Sequence, residues 1–463
     1  MKQTAFSSLE LHDSLLKNLD TLGYKTMTPI QAESLPYILK GKDVIAQGKT
    51  GSGKTAAFGL GLLNKIDVRR FQTQSLVLCP TRELADQVTK EIRRLARAIS
   101  NIKVLTLCGG TPFRPQADSL EHGAHIIVGT PGRIEDHLGR GTVKLDNLET
   151  FILDEADRML EMGFQSAIEN IIEQSPRERQ TLLFSATFPA QIKSIAKHIM
   201  IDPVVLQVTT THDDSVIRQH FYEVKEDGQR LVALRLLLLQ HRPESTIVFC
   251  NTKKEVQEVA GELSDHGFSV LALHGDLEQR DRDQTLLQFS NKSISVLIAT
   301  DVASRGLDID SIDLVINYHI ARDTEVHIHR IGRTGRSGNK GIACSFYSDK
   351  ESYKVSLLGD YLDRTIEGEK LPPVSLLREM PDQARMTTIL IDGGKKQKVR
   401  PGDILGALTG KTGIEGKQVG KINIFDNRAY VAVMTGSAKA ALKKLSEGKL
   451  KGRSFRARLL RNN

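Results

Sequence analysis

The stretch of sequence that decides the fold runs from residue 44 to residue 55 and reads Val44-Ile45-Ala46-Gln47-Gly48-Lys49-Thr50-Gly51-Ser52-Gly53-Lys54-Thr55. It begins as a short apolar strand, and residues 56–63 after it have a helical pattern. A glycine-rich turn between a strand and a helix lets backbone N–H groups surround phosphate oxygens, while the helix N-terminus adds partial positive charge. The pattern therefore predicts a phosphate-binding loop.

Two side chains of this loop have predicted roles of their own. Lys54 is expected to reach the β and γ phosphates of a nucleoside triphosphate, and the Thr55 hydroxyl is expected to ligate Mg²⁺. The loop residues predicted to bind the nucleotide are Gly48, Lys49, Thr50, Gly51, Ser52, Gly53, Lys54 and Thr55.

An acidic motif, Asp154-Glu155-Ala156-Asp157, directly follows the apolar residues 151–153. A carboxylate at the end of a neighbouring strand points at the phosphate loop, so Asp154 is expected to hold Mg²⁺, partly through water. Glu155 is the candidate to orient or deprotonate the attacking water. Alternatively, the motif is an acidic helix start, since Asp and Glu favour the first turn. With the loop upstream, the sequence favours triphosphate hydrolysis.

The rest of the chain alternates short apolar strands with amphipathic helices, which is typical of parallel α/β domains. One series of predicted strands covers 75–79, 125–128, 150–153 and 181–184, and a second covers 246–250, 269–273, 295–299, 314–317 and 342–346. A βαββαβ pattern follows, typical of a four-stranded sheet backed by two helices. The predicted division is a domain at 1–207, a linker at 208–215, a domain at 216–365, a linker at 366–383 and a small domain at 384–463.

Charge is unevenly distributed along the chain. Residues 384–463 contain 18 Lys and Arg against 5 Asp and Glu, whereas the other 383 residues contain 46 against 51. A small basic domain beside a near-neutral enzyme suggests that it binds a polyanion. A solubilising basic surface is the alternative.

Other composition features exclude several classes of protein. The four cysteines are far apart and include no Cys-x-x-Cys pair, which argues against a zinc site or a disulfide framework and fits a reducing cytoplasm. No apolar run reaches the roughly 18 residues that span a bilayer. Residues 1–6 lack the apolar run of a secretory signal. We therefore expect a cytoplasmic protein.

Further motifs follow along the first 365 residues. They are Tyr24 with Thr28-Pro29-Ile30-Gln31, Pro80-Thr81-Arg82-Glu83-Leu84-Ala85, Gly109-Gly110, Thr130-Pro131-Gly132-Arg133, Ser185-Ala186-Thr187, Val248-Phe249-Cys250-Asn251, Gln279 with Arg282, Thr300-Asp301, Arg305-Gly306-Leu307-Asp308 and His329-Arg330-Ile331-Gly332-Arg333-Thr334-Gly335-Arg336. With the phosphate loop and the acidic motif, this set resembles that of a DEAD-box RNA helicase. Gly48 and Lys49 depart from the family's usual residues, but they precede the core of the loop. The resemblance implies two RecA-like domains in tandem.

The resemblance also implies roles for individual residues. ATP is the implied nucleotide, with Tyr24 stacking on the adenine, Gln31 reading its edge and Asp308 meeting the ribose. Arg333 and Arg336 are implied arginine fingers, because a planar, permanently charged guanidinium matches phosphate oxygens. Asp157, Ser185 and Thr187 are implied to link the nucleotide site to RNA unwinding. The implied contacts to the RNA backbone are Pro80, Thr81, Arg82, Gly110, Thr130, Arg133, Asn251, Gln279, Arg282 and Thr300.

The small basic domain resembles an RNA recognition motif (RRM). A bacterial helicase core with such a domain implies 23S rRNA as the target and assembly of the large (50S) ribosomal subunit as the role. Common RRMs stack bases on aromatic residues of the central strands, but here the sheet offers only Tyr430, which is expected either to stack or to be packed or interfacial. The predicted RNA contacts are therefore basic, at Lys395, Lys396, Lys398, Arg453, Arg456 and Arg458.

Other functions fit parts of the sequence. An ATP-gated RNA clamp with little unwinding would use the same motifs, and a strand-separation assay distinguishes it from a helicase. A DNA-translocating helicase is disfavoured by Gln31, by residues 154–157 and by the RRM-like domain. A transport ATPase is poorly supported because the sequence has no membrane-spanning run.

Replacement of one predicted arginine finger tests this interpretation. Arg336→Ala is expected to leave ATP binding largely intact and to lower turnover by roughly 10³-fold, because a finger stabilises charge in the transition state. ATP affinity and steady-state hydrolysis measure the two effects separately. Turnover close to that of the parent protein would refute the assignment.

Overall fold

The computed structural model describes residues 5–48, 51–188, 190–208, 217–225, 227–304, 312–335, 340–410 and 413–460. These residues form two compact units, one up to residue 208 and the other from residue 217. The first unit contains one parallel sheet, and the second contains a parallel sheet and a small antiparallel sheet. The predicted fold class is therefore confirmed.

The sheet of the first unit has seven parallel strands in the order β3-β4-β2-β5-β6-β1-β7. Four inner strands are buried along their whole length, as expected for a sheet that is covered on both faces. The sequence analysis missed the two edge strands β3 and β7, which are only partly buried. The strands are β1 (Val44–Gln47), β2 (Ser75–Leu78), β3 (Val104–Leu107), β4 (Ile126–Gly129), β5 (Thr150–Asp154), β6 (Gln180–Ser185) and β7 (Val204–Gln207).

Helices pack on both faces of this sheet and complete two apolar cores. The helix after the glycine-rich loop, α3, is buried along most of its length, and its Phe58 contacts Phe184 of β6 at a ring distance of 5.3 Å. The loop is thus supported by a rigid element. The helices are α1 (Asp13–Thr21), α2 (Pro29–Leu39), α3 (Lys54–Lys65), α4 (Arg82–Leu95), α5 (Phe113–Leu120), α6 (Pro131–Gly139), α7 (Ala156–Glu161), α8 (Gln165–Glu173) and α9 (Ala190–Ile199).

The larger sheet of the second unit has six parallel strands in the order β10-β11-β9-β12-β13-β8. Its strands are β8 (Ile217–Glu223), β9 (Thr246–Phe249), β10 (Val270–Leu273), β11 (Val296–Ala299), β12 (Leu314–Asn317) and β13 (Gly341–Tyr347). Its helices are α10 (Asp227–His241), α11 (Lys253–Asp265), α12 (Gln279–Ser290), α13 (Asp301–Ser304), α14 (Thr324–Ile331) and α15 (Ser352–Tyr361).

The basic segment folds as the predicted βαββαβ unit, with an antiparallel sheet in the order β15-β16-β14-β17. Two helices cover one face of this sheet and form its core. The other face packs on α12 and on the turn after it, where the hydroxyls of Thr388 and Ser293 share a 2.6 Å hydrogen bond. The elements are β14 (Met386–Ile391), α16 (Pro401–Thr409), β15 (Val419–Ile424), β16 (Ala429–Met434), α17 (Ala438–Glu447) and β17 (Ala457–Leu459).

All four cysteines are buried as free thiols. Burial raises the pKa of the Cys108 thiol to about 12, so this group stays protonated. In the part of the chain that the structure describes, no helix is both long enough and apolar enough to cross a bilayer.

A glycine inside α3 permits close packing against α2. A Cβ atom on Gly61 would lie 2.2 Å from Cγ2 of Ile38, a fully buried side chain with a stiff χ1. Gly61→Ala is therefore expected to destabilise the first domain by roughly 1–3 kcal/mol and to lower its melting temperature. Gly139→Ala is the control, because a Cβ atom there meets nothing within 4 Å. Unchanged melting of Gly61→Ala would contradict this packing.

Candidate functional site

The glycine-rich loop joins the carboxyl end of β1 to the first residue of α3, as predicted. Gly51 and Gly53 have φ values of +83° and +94°, a conformation that favours glycine. The buried Lys54 donates from Nζ to the carbonyl oxygen of Gly48 at 2.8 Å, so its ammonium lies within the loop. This is the arrangement of a phosphate cradle with one cation inside it. Lys49 and Thr50 lie outside the described residues.

Gln31 connects the start of α2 to this loop. Its Oε1 accepts from the backbone N–H of Thr28 at 2.9 Å, and its Nε2 donates to the carbonyl oxygen of Gly53 at 3.1 Å. A Cβ atom on Gly53 would lie 2.5 Å from this Nε2, so only glycine allows the approach. The amide predicted to read adenine is therefore placed directly against the phosphate loop.

Tyr24 is held by neighbours that the sequence analysis did not identify. Its hydroxyl donates to Oε1 of Glu91 at 2.6 Å, its ring meets Phe6 edge-on at 6.1 Å, and the Arg94 guanidinium lies 5.5 Å from the ring centre. Burial and the carboxylate of Glu91 raise the pKa of Tyr24 to about 12. The ring is thus fixed by Phe6 and by two residues of α4, Glu91 and Arg94, which are far away in sequence.

Asp154 ends β5, and β6 separates β5 from the loop-bearing β1. Its side chain is buried, and Oδ1 has no hydrogen-bond partner among the described residues. Burial raises the pKa of Asp154 to about 7, an effect that the positive charge of Lys54 partly offsets. A desolvated carboxylate oxygen without a partner fits a role in holding a cation or its water shell.

Glu155 follows in a left-handed conformation with φ 53° and ψ 51°. This conformation is costly for a residue with a Cβ atom and occurs mainly where the surrounding structure enforces it. The sharp turn ends β5 and starts α7. It therefore places both Glu155 and Asp157 at the edge of the sheet.

Asp157 is joined to the Ser-Ala-Thr motif after β6. Its Oδ2 accepts from the backbone N–H of Thr187 at 2.9 Å and from the Thr187 hydroxyl at 3.0 Å. Its own N–H donates to Oγ of Ser185 at 3.3 Å. Three hydrogen bonds therefore join the acidic motif to the Ser-Ala-Thr motif.

Three predicted RNA contacts of the first unit lie close together. A Cβ atom on Gly110 would lie 1.8 Å from the Arg82 guanidinium, so that arginine packs directly over the glycine. Both terminal nitrogens of Arg133 donate to the carbonyl oxygen of Thr111, at 3.2 and 3.1 Å. Thr81 and Thr130 occupy the N-cap positions of α4 and α6. Pro80 lies in the short connection between β2 and α4. Arginines and helix starts therefore share this edge.

In the second unit, one buried arginine that the sequence analysis left without a role connects the strand ends. Arg330 pairs with Asp301 at 2.6 Å and also donates to Asn317 at 3.2 Å and to Asn251 at 3.4 Å. It donates to the carbonyl oxygen of His319 as well, at 2.9 Å. Its position in the motif 329–336 could have indicated a functional role. Its burial could not be predicted from the sequence.

The other predicted residues of this unit lie on the neighbouring helices. Gln279 donates to Asp283 at 2.8 Å, and Arg282 donates to the carbonyl oxygen of Ala303 at 2.6 Å. Thr300 accepts from the N–H of Ala303 at 3.4 Å. Arg333 lies just after the C-cap of α14, Gly332. Asp308 and Arg336 lie outside the described residues.

The basic side chains of the small domain occupy two adjoining segments. Lys395, Lys396 and Lys398 are exposed on the turn after β14. Lys451 donates to the carbonyl oxygen of Lys398 at 3.2 Å, which brings the exposed Arg453 and Arg456 to the same region. We name the residues Lys395, Lys396, Lys398, Arg453 and Arg456 the basic face.

Arg458 and Tyr430 differ from this group. Arg458 pairs with Asp392 at 3.0 Å, so its charge is partly neutralised. Tyr430 is buried against Leu287 and Leu390, and Nε2 of Gln284 lies 3.4 Å from its hydroxyl. Of the two alternatives for Tyr430, the structure supports the packed and interfacial one.

Three protein families match successive parts of the chain. Residues 28–195 match the DEAD/DEAH box helicase family, residues 229–338 match the helicase conserved C-terminal domain, and residues 388–459 match the DbpA RNA binding domain. The chain therefore belongs to the DEAD-box family of ATP-dependent RNA helicases, which couple ATP hydrolysis to RNA unwinding.

Within this family the chain is of the DbpA type. It is 55% identical over 459 residues to the ATP-dependent RNA helicase DbpA of Escherichia coli, covering 99% of this chain and all of that protein. It is 47% identical over 350 residues to the helicase CshA of Bacillus cereus, covering 75% of this chain and 66% of that one. Among solved structures, S. cerevisiae Dbp5 bound to RNA and ADP BeF3 aligns with a TM-score of 0.72 and 33% identity, covering 80% of this chain and 96% of that one.

The raised pKa of Asp154 predicts a pH-dependent stability. Because its folded-state pKa of about 7 exceeds the ordinary value of 3.8, the folded protein loses stability as pH rises from about 4 through 7. Asp154→Asn removes the ionisation and is expected to be more stable than the parent at pH 8, by on the order of 4 kcal/mol. This difference should vanish towards pH 4.

Thermal unfolding of the full chain without nucleotide or divalent cations measures this effect. Asp118→Asn on α5 is the control, because that side chain is exposed. A stability difference for Asp154→Asn that does not change between pH 5 and pH 8 would contradict a desolvated carboxylate.

Proposed function

We propose that this helicase unwinds short duplexes of 23S rRNA in precursors of the large ribosomal subunit, and that its C-terminal domain selects the RNA. The observation that carries the proposal is the joining of a DEAD-box core to a DbpA RNA binding domain with a concentrated positive charge. The 55% identity to a DbpA helicase over nearly the whole chain supports it. The proposed domains are 1–207, 216–365 and 384–463, and the proposed location is the cytoplasm.

In the proposed ATP site, the phosphate loop binds the triphosphate, and Lys54 neutralises its charge. Thr55 and Asp154 would hold Mg²⁺, which supplies further positive charge at the phosphates. Glu155 orients the attacking water, and its enforced left-handed backbone fixes the direction of the side chain. Arg333 and Arg336 supply the fingers, and Asp308 contacts the ribose. Gln31 and Tyr24 select adenine.

We propose that Asp157 transmits the state of the nucleotide site to the RNA site. It lies two residues after Glu155, and its Oδ2 accepts two hydrogen bonds from Thr187, while Oδ1 accepts one from the backbone N–H of Arg158. A shift of the acidic motif on ATP binding or hydrolysis would therefore displace the Ser185–Thr187 segment. The bond is charge-assisted, which makes it stronger than a neutral hydrogen bond.

The proposed path of RNA over the core uses groups that bind phosphates without reading bases. In the first unit these are Pro80, Thr81, Arg82, Gly110, Thr130 and Arg133. In the second unit they are Asn251, Gln279, Arg282 and Thr300. Arg330 supports the second set by holding Asn251 in place, because its Nη2 donates to Oδ1 of Asn251 at 3.4 Å.

The basic face is the proposed surface for rRNA in the small domain. Base stacking on the sheet, as in common RRMs, is disfavoured because Thr388, Leu390 and Tyr430 on its outer face are buried. Five exposed cations in two adjoining segments remain available for phosphates. Arg458 contributes less, because Asp392 already pairs with it.

Selective stimulation of ATP hydrolysis tests the proposal. We expect large-subunit rRNA to stimulate turnover much more than an unrelated structured RNA of equal length. Replacing Lys395, Lys396 and Lys398 by Gln should abolish most of this preference. It should also lower the slope of log affinity against log salt concentration for rRNA, by an amount equivalent to about three phosphate contacts. Turnover without RNA should not change.

The matched control replaces Lys417, Lys439 and Lys443, which are exposed on other segments of the same domain, by Gln. It removes the same charge, so an equal loss of preference would reduce the domain to a general basic tether. Equal stimulation of the parent protein by both RNAs would refute rRNA selection and leave the helicase assignment intact.

A further inference from the structure

A cavity of about 310 Å³ in the second unit is unused by the functions described above. It lies between the segment after β12 and the helix α15. Ile320, Ala321 and Leu358 form a buried apolar floor, whereas Leu357 and Tyr361 line it with more than half of their surface exposed. The volume is within the range of small-molecule sites.

His327 supplies an unsatisfied polar group to the lining of this cavity. The side chain is 1% exposed, and its Nε2 lies 3.2 Å from Oε1 of Gln219, an oxygen that only accepts. Nε2 therefore carries the proton, and Nδ1 is an acceptor. Nδ1 has no hydrogen-bond partner among the described residues. Nδ1 is covered by its neighbours as the side chains stand, so a ligand reaches it only when the lining shifts slightly. An unsatisfied buried acceptor costs free energy, which a ligand with an N–H or O–H donor would then recover.

The imidazole stays neutral over the physiological pH range. Burial is the main cause that lowers the pKa of His327 to about 3, and the positive charges of Arg330 and Arg364 lower it further. The acceptor character of Nδ1 is therefore permanent. A ligand must meet it with a donor.

Two cations, an aromatic ring, Thr324 and one carboxylate, Asp323, also line the cavity. The Asp323 carboxylate is used at the start of α14, where it accepts from the backbone N–H of Val326 at 2.8 Å. Arg322 is exposed and has no ion-pair partner in the described part of the chain. Lys354 lies 3.9 Å from Glu351, a separation that leaves most of its hydrogen-bonding capacity unused. Tyr361 offers a ring that is 52% exposed. Planar groups stack on such rings, and phosphates pair with such cations.

The cavity adjoins the strand ends that carry the proposed RNA contacts. Arg330 donates to the carbonyl oxygen of His319, and Ile320 of the cavity floor is the next residue. The same guanidinium reaches Asn251 after β9 and Asp301 after β11. In a parallel sheet these positions share one edge, so the cavity continues the edge on which RNA is proposed to lie.

We propose that this cavity binds one nucleotide, with its base against Tyr361 and its phosphate at Arg322 and Lys354. An N–H of the base donates to Nδ1 of His327. The same chemistry is present in a nucleotide of an RNA strand and in a free nucleoside monophosphate. The site does not depend on which RNA the C-terminal domain selects.

A peptide of a protein partner fits the cavity less well. It would satisfy the apolar floor, but it would not explain an aromatic ring and two cations around a buried acceptor. The position at the carboxyl edge of the sheet, beside Asn251, also favours a nucleotide.

Binding of a fluorescent 12-nucleotide single-stranded RNA to the full chain, with AMP-PNP saturating the ATP site, tests the proposal. Tyr361→Ala is expected to weaken binding by about fivefold or more, since stacking on one aromatic ring contributes roughly 1–3 kcal/mol per base. Tyr353→Ala is the matched control. It lies on the same helix and is 62% exposed, but it does not line the cavity. Thermal melting verifies that both variants fold.

Photocrosslinking gives a second, independent readout. RNA containing 4-thiouridine is expected to label the tryptic peptide 355–364, which contains Tyr361, and not the peptide 351–354, which contains Tyr353. In a parallel arm, AMP binding is followed by NMR with AMP-PNP present. Loss of AMP binding in Tyr361→Ala with unchanged RNA affinity would identify the free nucleotide as the ligand.

Three outcomes would overturn the proposal. The first is that Tyr361→Ala changes neither RNA nor AMP binding, which would leave the cavity to a protein partner or to no ligand. The second is an equal loss in Tyr353→Ala and Tyr361→Ala, which would indicate a general surface effect of α15. The third is labelling of other peptides with none of peptide 355–364.

Discussion

The parallel arrangement of the strands is the constraint on which the functional geometry depends. All strands of a parallel sheet end at the same edge, so residues that directly follow different strands are brought together there although they are far apart in sequence. In the first unit this edge collects the phosphate loop, Asp154 and Thr187. In the second it collects Asn251, Asp301 and His319, which Arg330 connects.

Charged groups at a buried edge lose the favourable interaction with water, and the two units compensate for this loss differently. In the first unit Asp154 remains desolvated and its pKa is raised to about 7, partly offset by Lys54. In the second unit Arg330 is fully paired, with Asp301, Asn317 and two further acceptors around it. The first arrangement leaves an unsatisfied oxygen for a ligand, and the second forms a rigid support.

Sequence patterns predicted the inner strands, the βαββαβ domain and the chemistry of the loop, because these depend on local periodicity and spacing. They failed for the edge strands β3, β7 and β8, whose partial exposure interrupts the apolar pattern. Contacts between residues that are distant in sequence could not be predicted either. Sequence does not show that Glu91 holds Tyr24, that Arg330 is buried, or that packing on α12 covers Tyr430, since each depends on the tertiary fold.

The central claim is that the contact between Asp157 and Thr187 couples ATP hydrolysis to strand separation. It is tested most directly by measuring both activities for Thr187→Val, which removes the hydroxyl donor and keeps the shape and the backbone N–H. We predict that RNA-stimulated ATP turnover stays within about twofold of the parent's while separation of a short duplex falls roughly tenfold, since a hydrogen bond to a charged group contributes about 1.5–3 kcal/mol. Unchanged separation, or an equal loss of both activities, would contradict the claim.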